Sequence, residues 1–195
     1  MASEQRDPFE RFDEWFKAAA EKEPNEPNAM ALATVGADGM PSVRMVLLKG
    51  VDDRGFVFYT NYESQKGQEL TANPRAALVF YWSVTRHQIR VYGRTRRLSR
   101  QSSAEYFASR PRGAQLSALA SRQSRVIRSR DVLERRVVQL AEQYPEQVPL
   151  PRDWGGYALR PRWIEFWENR EDRLHDRLRY TRDDRGAWRI ERLAP

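Results

Sequence analysis

The chain has 195 residues, no cysteine, and 34 basic against 27 acidic side chains, for a net charge of +7. That length suits one domain with a substantial core, and the lack of cysteine excludes disulfides, thiolate metal sites and cysteine nucleophiles. The longest apolar run, residues 76–82, is far too short to cross a bilayer, and the polar N-terminal stretch 1–8 is no targeting segment, so the chain reads as cytoplasmic with no membrane span.

Asp7, Pro8 and Glu10 have the pattern of a helix start, and Phe9, Phe12, Phe16, Ala19 and Ala20 then recur at helical spacing, which predicts a docked helix over 7–23. The prolines at 24 and 27 end it. A strand over 29–35 leads through a Gly-Ala-Asp-Gly turn to two β-rich runs, 43–48 and 56–60, flanking Asp-Asp-Arg-Gly, which predicts that these two runs pair as a hairpin. Arg44 and Lys49 sit at the ends of the first run, and Tyr59, Thr60 and Asn61 end the second. Edge charges that discourage aggregation are one reading of the two cations, and ligand contacts are another.

Residues 64–73 read as a short helix capped by Ser64, with Lys66 in the first turn where backbone N–H groups favour an anion. Only Lys17, Lys22, Lys49 and Lys66 are lysines in a chain that otherwise uses arginine, so positions 49 and 66 are candidates for compact point charges. Strands follow over 76–82 and 88–98. In the second, Gln88, Arg90 and Tyr92 share one face and Ile89 and Val91 the other. The main strands thus occupy 29–98.

A helical segment spans 102–144. Ser102 and Glu105 predict the start of a helix that carries Tyr106 and Arg110 on one face and stops at Pro111, a polar stretch follows, and Asp131 caps a second helix. The remaining 154–195 predicts strands at 156–159 and 163–167 and a closing hairpin of 178–180 with 188–190. If 173–177 is extended, Arg173, His175 and Arg177 converge on one surface, and a solvated, charge-balanced edge is the competing reading.

Several chemistries have no signature. There is no GxGxxG, Walker A, HExxH or GxSxG pattern, and the two histidines, His87 and His175, lie far apart, so a metal site is not expected. The basic residues are scattered among acidic ones, a weak sign for nucleic acid. Clusters of cations with hydroxyls on a sheet suit a small phosphorylated ligand better.

The motifs Arg44-Met-Val-Leu-Leu-Lys49, Phe58-Tyr-Thr-Asn61, Ser64-Gln-Lys66, Tyr106-Phe-Ala-Ser-Arg-Pro-Arg112, Arg122-Gln-Ser124, Trp154-Gly-Gly156, Ile164-Glu-Phe-Trp167, Arg173-Leu-His-Asp-Arg177 and Arg192-Leu-Ala-Pro195, in this order, resemble the pyridoxamine 5'-phosphate oxidase family. The resemblance implies a mainly β fold with peripheral helices, a homodimeric FMN-binding split β-barrel spanning 1–195. It implies oxidation of pyridoxamine or pyridoxine 5'-phosphate to pyridoxal 5'-phosphate with O2 as acceptor, giving H2O2, and no nucleic-acid or membrane partner.

Carried over by position, the resemblance places Arg44, Met45, Val46, Leu47, Leu48, Lys49, Tyr59, Thr60, Lys66, Gln88, Gln123, Ser124, Trp167 and Arg177 around FMN. It places Lys49, Tyr106 and Arg110 on the substrate phosphate, and Arg173 with His175 over the substrate ring as the catalytic pair. Strict alternation puts Arg44 and Lys49 on opposite faces, which calls for a bulge or for ligands on both sides. The chain departs from the family pattern in having Gln65 for an arginine, Ala114 for a serine and His87 for an arginine, and it lacks an Arg-rich leader. A related FMN oxidase of the phenazine-pathway type and a flavin-binding protein without turnover are the alternatives.

Overall fold

The computed structural model describes residues 7–195, so the polar stretch 1–6 lies outside the described residues. Helix α1, Pro8–Lys22, begins where Asp7 accepts a hydrogen bond from the Phe9 backbone N–H. It presents Phe12 to the ring edges of Phe56 and Phe80 at 5.0 and 5.3 Å. Trp15, on the same helix, stacks on His87 at 3.8 Å. Burial pushes the His87 imidazole below its usual pKa.

Among the described residues, nine antiparallel strands form the body. They are β1 Ala29–Val35, β2 Pro41–Leu47, β3 Gly50–Asp52, β4 Gly55–Asn61, β5 Arg75–Trp82, β6 His87–Arg97, β7 Trp154–Glu168, β8 Asp176–Arg182 and β9 Trp188–Arg192. The main order is β2-β1-β5-β6-β7-β4-β3, with β8 joining β7 and β9 joining β8. Ile89, Val91, Leu78, Phe80, Ile164 and Phe166 fill the inner face, as the period-2 pattern requires.

The predicted hairpin of 43–48 with 56–60 does not form. β2 pairs with β1, as Arg44 with Leu32 and Met45 with Ala31, and the hairpin across the Asp53-Arg54 turn is made instead by β3 with β4. The chain changes neighbours in one step: Leu48 N–H donates to Asn28 O, and Lys49 N–H to Val57 O, both at 2.8 Å. That switch resets the alternation, so no bulge is needed to bring Arg44 and Lys49 to one cleft.

The two strands predicted at 156–159 and 163–167 are one strand of 15 residues, β7. Its first half pairs with β4 up to Leu159 and its second half with β8 from Trp163, while β6 runs along both. Pro161, which has no N–H to give a ladder, sits where the neighbour changes, opposite a bulge at Gly93. The sheet splits there.

Helices α2 Gln65–Ala72, α3 Arg100–Ser109, α4 Arg112–Ala120 and α5 Arg130–Gln143 lie outside the sheet. Ser64 caps α2 as expected, accepting from Gly67 N–H. The cap of α3 is Ser99, three residues before the predicted one, because its hydroxyl takes the Ser102 N–H. The polar stretch after Pro111 contains α4, and α5 has its N-cap at Ser129 rather than at the expected Asp131, which stands in its first turn. Phe107, Leu116, Val148 and Trp154 form a second, smaller core under these helices.

Candidate active site

A cleft of about 1000 Å³ opens between β2, β4, the start of α2 and the helices α3 and α4. It is lined by Arg44, Met45, Val46, Leu47, Lys49, Tyr59, Thr60, Lys66, Tyr106, Arg110, Gln123 and Ser124, all expected from the sequence. Leu48 is the exception in its run: it is buried in the main core. A volume at the upper end of the usual range for small-molecule sites leaves room for more than one ligand.

One end of the cleft is built on α2. Lys66 is buried, and its ammonium contacts only neutral oxygens, Gln123 Oε1 at 3.2 Å and Ser64 Oγ at 3.4 Å. Burial, and then the neighbouring Arg44, lower its pKa. Gln123 also accepts from Thr60 Oγ1 at 3.1 Å, and Ser124, in a left-handed conformation with φ of 72°, accepts the Gln65 N–H at 3.2 Å. The loop after α4 thus folds back on the start of α2.

Arg44 is more constrained than expected. Its guanidinium donates to Leu32 O at 3.2 Å, Ser42 Oγ at 2.5 Å and Glu69 Oε2 at 2.9 Å, and also to Thr34 Oγ1. Burial pushes the Glu69 carboxyl up, but hydrogen bonds from Thr34, Ser42, Gln65 and Arg44 outweigh it and hold the pKa at about 2. Glu69 therefore braces Arg44. Gln65, where the family pattern has a cation, donates to the same carboxylate at 2.9 Å.

The other end is aromatic. Tyr59 stacks on Tyr106 at 3.9 Å and lies nearly parallel to Trp154 at 5.4 Å, and the Arg110 guanidinium sits 4.9 Å from the Trp154 ring centre. Arg110 follows the end of α3 in extended conformation, so it joins Tyr106 in the cleft without being on its helical face. Its Nη1 is buried with no hydrogen-bond partner, and burial lowers its pKa. A buried guanidinium nitrogen left unpaired is costly unless an anion completes it. Ala114 and Ser117 line the cleft one helical turn apart.

The remaining expected residues stand elsewhere. Gln88, Trp167 and Arg177 form one row across β6, β7 and β8 on the outer face, and the His175 ring packs on Trp167 at 4.5 Å. Arg173 does not share their strand. β8 starts at Asp176, and Glu171–Arg173 is a 3₁₀ turn with Asp172 and Arg173 at positive φ of 55° and 61°. The predicted strand face of 173, 175 and 177 is therefore broken, and none of these five residues lines the cleft.

The sequence reading missed two braces, Glu69 and Glu165. Glu165 is 2% exposed and takes Arg177 through Nε and Nη2 at 2.9 and 2.8 Å, with Arg90 at 3.5 Å. Alternation places Glu165 outward with Trp163 and Trp167, where the two flanking guanidiniums balance its charge. Ser42 and Arg44, two apart on one strand, carried a visible hint of the Glu69 site.

The fold and the two-ended cationic cleft define a split β-barrel of the FMN-binding class. An FMN-binding protein from Nostoc punctiforme, related to pyridoxamine 5'-phosphate oxidase, has this fold at a TM-score of 0.80 and 19% identity, covering 98% of this chain and 100% of that one. The family model described as pyridoxamine 5'-phosphate oxidase matches residues 16–144, and one described as the pyridoxine 5'-phosphate oxidase C-terminal dimerisation region matches 154–195. The chain belongs to the pyridoxamine 5'-phosphate oxidase family.

Similar proteins named pyridoxine/pyridoxamine 5'-phosphate oxidase include one from Burkholderia vietnamiensis, 56% identical over 97% of this chain and 89% of that protein. Another, from Salinibacter ruber, is 55% identical with the same coverage. The solved structure of PhzG from Burkholderia lata 383, in complex with tetrahydrophenazine-1-carboxylic acid, superposes with a TM-score of 0.92 at 34% identity over 97% of this chain and 93% of that one.

Proposed function

We propose that the chain is an FMN-dependent oxidase of pyridoxamine or pyridoxine 5'-phosphate, forming pyridoxal 5'-phosphate with O2 as the final acceptor and H2O2 as co-product. The observation that carries this reading is a pair of cations without carboxylate partners among the described residues, the buried Lys66 and the half-buried Arg110 with its buried Nη1 unpaired, at two ends of one cleft. FMN and the substrate each bring one phosphate, and each end of the cleft has cations for one.

Lys66, Thr60, Gln123 and Ser124 would hold the FMN phosphate, with Arg44 supplying charge from its braced position. Arg110, Lys49 and Tyr106 would hold the substrate phosphate. When bound, FMN would supply the two-electron redox chemistry for oxidation at the substrate C4' carbon, with O2 as the final acceptor. The chain's own task is orientation, with no residue needed as a general base.

A second copy of the chain completes the site in this reading. Over β2, β1 and β5 the outer sheet face is apolar and open, with Val43 68%, Met45 62% and Tyr81 63% exposed around small Ala31, Ala33 and Ala77. A homodimer packed through this face would bring Gln88, Trp167, Arg173, His175 and Arg177 of one chain against the cleft of the other. Arg173 and His175 would then lie over the substrate ring.

The test is the visible spectrum of the FMN-loaded protein as pyridoxine 5'-phosphate is added without oxygen. Bleaching of the flavin bands is the expected result, and a bound flavin that does not bleach would refute the substrate. Ala114 and the likeness to PhzG favour one second reading, a carboxylate-bearing substrate on Arg110. Bleaching by a dihydro-aromatic carboxylic acid but not by the phosphorylated vitamer would select it.

A further inference from the structure

The outer face of the sheet carries its charges in rows across the strands. In the row of Val79, Arg90, Glu165 and Arg179, a carboxylate stands between two arginines. Arg90 and Arg177 are paired with Glu165, and Arg179 lies 3.7 Å from Glu191. Farther along the same strands the pattern fails: Arg75 faces Arg94, and Arg94 faces Arg160, three arginines on neighbouring strands with no acid between them. Like charges directly opposite one another destabilise a sheet.

Asp183 lines the same hollow, where its Oδ1 accepts from the Arg185 and Ala187 N–H groups, but among the described residues no acid pairs with this row. Among the described residues, the guanidiniums of Arg75, Arg94, Arg96 and Arg160 make no hydrogen bond or ion pair, and only Arg162 nearby reaches a carboxylate, Asp184 at 3.4 Å. The site is also concave. Arg162 is the extra residue of the β-bulge opposite Tyr92 and Gly93, and a Cβ at Gly93 would meet Arg160 O at 2.0 Å. The bulge shapes a hollow of about 290 Å³ lined by Arg75, Arg94, Arg96, Arg160, Arg162 and Tyr92 among others.

We propose that this hollow is a second anion site, separate from the cleft, that binds a small ligand carrying a diphosphate or longer polyphosphate. Three guanidiniums on adjacent strands span two inter-strand steps, roughly 10 Å. Two linked phosphoryl groups match that span more fully than one, with oxygens to set against each of the three guanidiniums. Arginine forks suit phosphate oxygens. The inference does not depend on the oxidase reading.

Calorimetric titration of the FMN-loaded protein with inorganic pyrophosphate, and separately with ADP, tests it. One saturable site per chain is expected for both, and tighter binding of ADP would assign Tyr92 a share in holding an organic group. The double variant Arg94→Gln with Arg160→Gln should bind pyrophosphate about tenfold or more weakly with unchanged turnover, while Arg110→Gln should bind it as the parent does. Loss in Arg110→Gln with retention in the double variant would move the anion to the cleft and overturn the proposal. So would absence of pyrophosphate binding, or binding of random duplex DNA alone. Dissociation of the double variant into monomers would show instead that the arginines pair with a second copy.

Discussion

The cleft and the outer row Gln88, Trp167 and Arg177 carry the same kinds of residue but are built differently. The cleft gathers side chains from β2, β4, α2, α3 and the loop after α4; local hydrogen bonds hold Arg44 and Lys66, Arg110 Nη1 is buried without a partner, and Lys49 is exposed. The row stands on three neighbouring strands whose register alone aligns it, with Glu165 fixing Arg177. The first is shaped for a ligand within one chain, and the second is a rigid surface that needs something brought to it. In the reading proposed above, that something is the other chain's cleft.

The sharpest break of this contrast is Arg110→Gln. It removes a half-buried guanidinium whose Nη1 has no hydrogen-bond partner, and charge-assisted hydrogen bonds are worth about 1.5–3 kcal/mol, so kcat/KM for the phosphorylated substrate should fall about 10- to 100-fold. FMN affinity, measured by fluorescence quenching, should stay unchanged. Equal loss of both would place Arg110 at the cofactor.

Mixing subunits sharpens it further. Lys66→Met and Arg177→Met homodimers should each be nearly inactive, one defective in the cleft and the other in the row. Random hybrids are half of the population, and each would carry one intact site, so mixing should restore about a quarter of parental activity. No recovery would mean that cleft and row act within one chain.

A smaller effect is expected at the brace of Arg44. Glu69 has its carboxyl depressed to about 2 from 4.5, so its contribution to stability is complete above pH 4.5 and is lost as the pH falls toward 2. Glu69→Gln should lower stability by about 1–2 kcal/mol at neutral pH and flatten the acid limb of a urea-midpoint profile over that window. An unchanged acid limb would assign the acid sensitivity elsewhere. The smallest change is Ala114→Ser, expected to lower KM for the phosphorylated substrate by about 2- to 10-fold through one added hydrogen bond.

What was legible in the sequence was local. Asp7 and Ser64 showed two helix starts, alternation showed that Ile89 and Val91 face inward, and the spacing of Phe9, Phe12 and Phe16 marked the docked side of α1. These signals act within a few residues, where caps and periodicity are strong. The motif order was enough to indicate the family and the cleft residues from Arg44 to Ser124.

Tertiary structure decided which segments became neighbours. A β-rich run carries no mark of its partner, so only the assembled sheet shows β2 leaving β4 for β1, and β7 exchanging β4 for β8 at Pro161. For the same reason the carboxylates that brace Arg44 and Arg177 come from residues 25 and 12 positions away in the chain. Periodicity sorts side chains between faces, while pairing across long loops is settled by burial and charge summed over the whole molecule.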